Sequence, residues 1–161
     1  MQSNMTVLAA LIGMIAFMAV LAILIDFFIR RRRDRRISRM DDLDGHDFEF
    51  FCADLLRAQG FIDVEVTRGS GDFGVDILAE KDGVTYAVQC KRYNGPVGVE
   101  AVLRTYGGLA YYERMVGVVM TNQYFTSPAV EAAKKLHILL WDRGYMDAMI
   151  EEGGNRQSPR T

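Results

Sequence analysis

The sequence predicts an α/β domain, a mixed β-sheet flanked by helices, behind a single N-terminal transmembrane helix. Three observations carry that prediction. Met5 to Ile25, MTVLAALIGMIAFMAVLAILI, has no charged residue in 21 positions. Beyond residue 47, strand-length apolar runs interleave with stretches of helical periodicity. The chain has 161 residues, half apolar and a quarter charged, which suits one ordinary domain plus an appendage.

The apolar stretch comes first. About 20 apolar residues cross a bilayer core, and a soluble core helix rarely runs so long without a polar face. A secretory signal would need a basic start, a shorter apolar core and a small-residue cleavage site; Met1 to Asn4 carries no basic side chain. RRRRDRR, Arg30 to Arg36, follows the stretch, and positive residues beside a span stay in the cytoplasm. The expected arrangement is a single-pass inner-membrane protein with its folded domain in the cytoplasm and residues 5–29 in contact with lipid. Asp26 lies close enough to the basic run to partner Arg30 at the interface. The expected division is an anchor over 1–29, a basic juxtamembrane segment over 30–40, a folded domain over 41–150 and a disordered tail over 151–161.

Charge is unevenly divided. The first 40 residues hold 7 Arg and 2 Asp; the remainder hold 12 Lys and Arg against 19 Asp and Glu. The folded part is acidic, which excludes a general affinity for phosphate backbones and leaves nucleic-acid contact to a local patch. Cys52 and Cys90 are too few for a disulfide scaffold or a cysteine metal site, and both stay reduced in the cytoplasm.

The elements of the domain follow in order. Residues 40–47 form a polar junction or helix cap. Phe48, Phe51, Cys52, Leu55 and Leu56 mark a helix over 48–59, closed by Gly60, with Glu49 and Phe50 off its apolar stripe. FIDVEVTR alternates as a strand. GSGDFG is a tight turn, VDILAE a second strand, KDG a hairpin turn and VTYAVQCKRY a third strand. A helix over 99–113 turns Val102, Tyr106 and Leu109 inward. MVGVVMTN reads as a buried, parallel strand. FTSPAVEAAKKL is a helix opened by Ser127 with Pro128 at its first position. HILLWD is the last strand and RGYMDAMIEE a short last helix.

Candidate chemistry gathers on the second and third strands. Residues two apart on a strand share a face, so Gln89 and Lys91 point one way and Cys90 the other. The hairpin brings Asp76 towards the pair, and Glu49 on the first helix is a fourth member. These groups suit metal-assisted phosphodiester hydrolysis. Mg²⁺ or Mn²⁺ takes oxygen ligands and keeps waters; Asp76 offers a carboxylate, Gln89 an amide oxygen and Cys90 its backbone carbonyl. Lys91 would orient a water and stabilise charge on the phosphate. Taken without the rest of the chain, an acid followed by Gln-x-Lys also fits a solvated strand face. His46 and His137 lack metal spacing and read as structural.

GHDFEFFCADLLRAQGF, GSGDFGVDILAE, VQCKRY, VGVEAV, GVVMTNQYFTSPAVEAAKK and LLWDR occur in that order. Over residues 44–146 they resemble the Mrr-like restriction endonucleases of the PD-(D/E)XK nuclease superfamily. The resemblance implies a three-layer core, a DNA substrate and a divalent metal. It places the acidic metal ligand on Asp76, the Gln-x-Lys half-motif on Gln89 and Lys91, and the first-helix glutamate on Glu49. Thr121, Asn122, Phe125 and Thr126 fall on further family motifs, as substrate-side or structural positions. Arg68, Arg92, Tyr93 and Asn122 are the DNA-contact candidates, with Arg104 and Lys134 completing a local basic face. Many relatives join the nuclease to a winged-helix domain; here the apolar stretch stands in that place. A homodimer, a resolvase-like action on branched DNA and a non-catalytic binding role all stay open.

Overall fold

The computed structural model describes residues 2–67 and 73–156; of these, the side chains of 2–11, 29, 30, 32–39 and 154–156 are not described. Arg68 lies outside the described residues. The chain divides into two compact units, 1–36 and 37–161.

The first unit is helical, and α1, Gln2–Asp42, carries the apolar stretch and the basic run after it. From Ile12 to Phe28 its apolar side chains are exposed. Among the described residues no helix is long and apolar enough to cross a membrane. The transmembrane helix expected from sequence is therefore not shown by the structure.

The second unit is a five-stranded mixed sheet between two helical layers. Met40, at the end of α1, is buried in it. The elements are α2 (Gly45–Ala58), β1 (Ile62–Val66), β2 (Ile77–Lys81), β3 (Val84–Lys91), α3 (Val99–Tyr111), β4 (Val116–Thr121), α4 (Ser127–Leu136), β5 (Leu139–Trp141) and α5 (Arg143–Arg156). The sheet order is β1-β2-β3-β4-β5. The first three strands are antiparallel; β4 and β5 add in parallel through the helical crossovers α3 and α4. This is the mixed sheet expected from sequence, including the buried parallel β4.

Local chemistry sets the element ends. Asp44 caps α2, accepting from the Asp47 amide at 2.8 Å, an interaction of about 1 kcal/mol. Asp82 and Gly83, both at positive φ, make the two-residue turn between β2 and β3. α4 differs from expectation at its start. Thr126, not Ser127, is the N-cap, its hydroxyl accepting from Ala129 N; Ser127 is the first helical residue. α5 continues to Arg156, so residues 151–156 of the tail expected over 151–161 are helical; residues 157–161 lie outside the described set.

Alternation on β3 decides what each helical layer meets. Val88 and Cys90 join the core beneath α2 and α5 with Phe48, Cys52, Leu56 and Trp141. On the other face Val119 packs with Val102, Ala129 and Ile138 beneath α3 and α4, and Gln89 turns towards α3. The inward stripe of α3 is Ala101, Val102, Thr105 and Gly108. Tyr106, expected inward, is 49% exposed. Thr105 takes the inward place because its hydroxyl meets Gln89.

Candidate active site

The β2–β3 ladder ends at the pair Ile77–Val88. Just past it, the Asp76 amide donates to Val88 O at 2.8 Å. Two residues further along β3, Cys90 N–H and C=O turn to the same side, where β2 has no residue left to offer. The Asp76 carboxylate fills that place: Cys90 N donates to Asp76 Oδ2 at 2.6 Å. This charge-assisted bond fixes the carboxylate at the edge of the sheet. The chain reaches it through two close approaches. Gly74, at φ +78, lies against Arg104 and the Gln89 amide, and Gly108 of α3 lies against Val75 and the Phe73 carbonyl.

Gln89 is 1% exposed, and its Oε1 lies 3.3 Å from Thr105 Oγ1. That hydroxyl has one proton and a shorter bond, 2.9 Å, to Ala101 O. The Gln89 amide is therefore the weaker partner of Thr105. Lys91 ends β3 half-buried, opposite Thr121 of β4 and on the face that Gln89 shares.

Glu49 approaches from α2. Its carboxylate is hydrogen-bonded to His46 Nδ1 at 3.1 Å, a partner that sequence spacing did not suggest. Burial pushes the Cys90 thiol well above its ordinary pKa; its hydrogen bond with Cys52 and the charges of Asp76 and Glu49 act in the same direction. Both carboxylates thus lie within electrostatic reach of one residue. Cys90 stays a neutral thiol turned to the core, so only its backbone can serve the site.

Among the described residues no group of three or more His, Cys, Asp and Glu side chains could hold a metal ion. The ligands expected from sequence are the Asp76 carboxylate held by Cys90 N, the buried Gln89 amide facing α3 and the Cys90 backbone carbonyl. These are hard oxygens, suited to Mg²⁺ or Mn²⁺ with several retained waters and unsuited to Zn²⁺.

The DNA-contact candidates separate. Tyr93 presents an exposed ring. Asn122 does not: it is 1% exposed, its Oδ1 accepts from Tyr93 N at 2.9 Å, and its Nδ2 donates to Tyr93 O at 3.0 Å and Asp41 Oδ1 at 2.8 Å. Arg92 is engaged too, with Asn94 Oδ1 at 3.0 Å and the Asp41 carbonyl. Arg104 pairs with Glu100 on the helix surface and Lys134 is exposed. Thr121 accepts from Gln123 N at 3.1 Å and Phe125 packs in the α3–α4 core. With Thr126 capping α4, these motif positions hold the backbone.

Asp41 and Arg143 have no counterpart in the sequence reading. Arg143 donates from Nη1 to Asp41 Oδ1 at 2.8 Å and from Nη2 to Oδ2 at 2.7 Å, a forked pair. Nη1 also reaches Asn122 O at 2.9 Å. Hydrogen bonding to Arg143 holds the Asp41 carboxyl below the usual carboxylate range.

Residues 40–150 match the Mrr_cat family, described as restriction endonuclease. Over 113 residues the chain is 32% identical to the type IV methyl-directed restriction enzyme EcoKMrr of Escherichia coli strain K12, covering 65% of this chain and 37% of that protein. The fold resembles the DNA modification-dependent restriction endonuclease AspBHI (TM-score 0.58, 20% identity, 76% of this chain and 35% of the other). It also resembles the MspJI restriction endonuclease in complex with a 27-mer oligonucleotide (TM-score 0.55, 20% identity, 74% and 31%). The chain thus spans about a third of the length of each of these proteins.

Proposed function

This chain belongs to the Mrr_cat restriction endonuclease family, and from that premise we propose that its folded domain is a divalent-metal-dependent DNA endonuclease hydrolysing phosphodiester bonds. The observation that carries the proposal is the sheet edge where Cys90 N–H holds the Asp76 carboxylate beside the strand that bears Gln89 and Lys91. Asp76, the Gln89 amide oxygen and the Cys90 carbonyl would hold Mg²⁺ or Mn²⁺. The ion, when bound, supplies polarisation of the scissile phosphate and a more acidic water. Lys91 would orient the attacking water and offset charge gathering on the phosphate oxygens. The Cys90 amide keeps Asp76 from turning away. Glu49, oriented by His46, faces the same region and suits a second-ion or water-holding role. Tyr93 offers a ring for stacking or packing beside the DNA.

Attachment to the inner membrane, with the folded domain in the cytoplasm, is the second part of the proposal. It is supported by 21 uncharged residues followed by a basic run. The exposed apolar side chains from Ile12 to Phe28 would find their solvent in lipid.

The test incubates the full chain, purified in mild detergent, with plasmid, linear and branched DNA and Mg²⁺ or Mn²⁺, beside Asp76→Ala and Lys91→Ala. Cleavage by the parent, and a fall of about 10²-fold or more in both variants, are expected. Cleavage surviving both substitutions removes the site assignment; DNA binding without cleavage of any substrate favours a non-catalytic module. A C-terminal reporter fusion reads the topology, and a periplasmic signal overturns the cytoplasmic assignment.

A further inference from the structure

We propose that Asp41 and Arg143 are positioning residues for the catalytic edge, acting through Asn122 to fix the chain that leaves β3 directly after Lys91. The inference rests on the nuclease reading of that edge.

The network has a definite direction. Asn122 follows Thr121, the partner of Lys91 in the β3–β4 ladder. Its side chain then reproduces a strand partner for Tyr93, taking the amide on its oxygen and giving a proton to the carbonyl, at 2.9 and 3.0 Å. The pairing that ends at Lys91 is in effect extended by two residues through a side chain. An Asn amide does this in one orientation only, since reversing it sets N–H against N–H and oxygen against oxygen.

Asp41 fixes that orientation. Its Oδ1 accepts the second Asn122 Nδ2 proton at 2.8 Å, and only the nitrogen end of the amide can donate there. Arg143 holds the carboxylate by both oxygens and reaches the Asn122 carbonyl at 2.9 Å, while its own amide donates to Gln123 O at 3.0 Å. Arg92, next after Lys91, donates to the Asp41 carbonyl. Two residues 102 apart in sequence thus grip both sides of the exit from β3. Lys91 must hold its ammonium in place against a phosphate, and a misplacement of about 1 Å can cost about 100-fold in rate.

The test uses the full chain in mild detergent and compares the parent with Asp41→Asn, Arg143→Lys, Lys91→Ala and the double variant Asp41→Asn/Lys91→Ala. Amide hydrogen exchange is read at residues 91–95, with 77–80 as the internal control. Asp41→Asn is expected to raise exchange at 91–95 by at least about tenfold and leave 77–80 unchanged. In cleavage, kcat is expected to fall about 10- to 100-fold with KM within about twofold. In the Lys91→Ala background the same change is expected to cost less than about twofold, because its effect runs through Lys91. Arg143→Lys, which keeps the charge and loses the fork, is expected to fall between. Unchanged exchange at 91–95 overturns the inference, and so does a kcat loss of full size in the Lys91→Ala background. If the parent cleaves no DNA, the nuclease reading fails and the catalytic role falls with it, while the exchange arm still decides whether Asp41 holds this segment.

Discussion

Two adjacent glycines of α3 should respond to alanine in opposite directions. A Cβ at Gly108 would stand 2.4 Å from Val75 Cγ2 and 2.8 Å from the Phe73 carbonyl oxygen. Carbon atoms in good contact sit about 3.5–4.0 Å apart, so the first approach is more than 1 Å too close, and the second is to backbone that cannot rotate aside. Overpacking of this kind costs about 1–3 kcal/mol, and the backbone clash puts it at the upper end. Alanine regains about 1 kcal/mol of helix propensity, leaving a net loss of about 2 kcal/mol. Gly107 has nothing within 4 Å, so the same change there keeps only the gain. At roughly 4 °C per kcal/mol for a domain of this size, Gly108→Ala should lower Tm by about 8 °C and Gly107→Ala should raise it by up to about 4 °C. Circular dichroism melts of the full chain in detergent read both. The pressed residues, Phe73 to Val75, lead directly into Asp76, so cleavage below Tm should fall in Gly108→Ala and persist in Gly107→Ala. Equal shifts in Tm, or a Gly108→Ala protein with unaltered Tm and activity, would refute the packing argument.

Other expectations follow from the same contacts. Thr126→Ala removes the hydroxyl that caps α4 and should cost about 1 kcal/mol in denaturant unfolding, whereas Ser127→Ala, at the first helical residue, should cost less than about half of that. Asp41 is held below the usual carboxylate range by Arg143, so its contribution is present above about pH 3.9 and is lost as pH falls through the lower folded value. A series of unfolding curves from pH 6 to pH 2 should show this loss, and Asp41→Asn should remove that part of the acid limb; identical limbs would contradict it. Lys91→Ala should lower the cleavage rate by about 10²–10³-fold with little change in Tm. Chelation should stop cleavage and leave the melting curve in place, because the sheet is held by two apolar cores of its own side chains.

The parts of the fold that could be read from the sequence are those whose causes are local. Alternation marks β1, Asp82-Gly83 marks the hairpin between β2 and β3, and the continuous apolar run marks β4 as buried. The face-sharing of Gln89 and Lys91, with Cys90 turned to the core, also follows from alternation and holds in the structure. Tyr106 was misplaced because helical spacing alone gives the stripe Val102, Tyr106 and Leu109 no reason to yield to Thr105. That reason is the Gln89 amide on another element. Thr126 and Ser127 can each cap a helix, and Pro128 tolerates either start. The partnership of Asn122 with Asp41 spans 81 residues, and no spacing rule links the two. The same holds for His46, whose bond to Glu49 depends on the cap that starts α2 three residues earlier than the apolar pattern does.

The central claim is that Asp76, fixed by the Cys90 amide, makes this sheet edge a metal-dependent phosphodiesterase site. Its most direct test is the initial rate of plasmid nicking against Mg²⁺ concentration, for the full chain and for Asp76→Ala side by side. A rate that rises and saturates with Mg²⁺ in the parent, and stays at background in Asp76→Ala across the same range, is the predicted result. Equal Mg²⁺-dependent nicking by the two proteins would contradict the account.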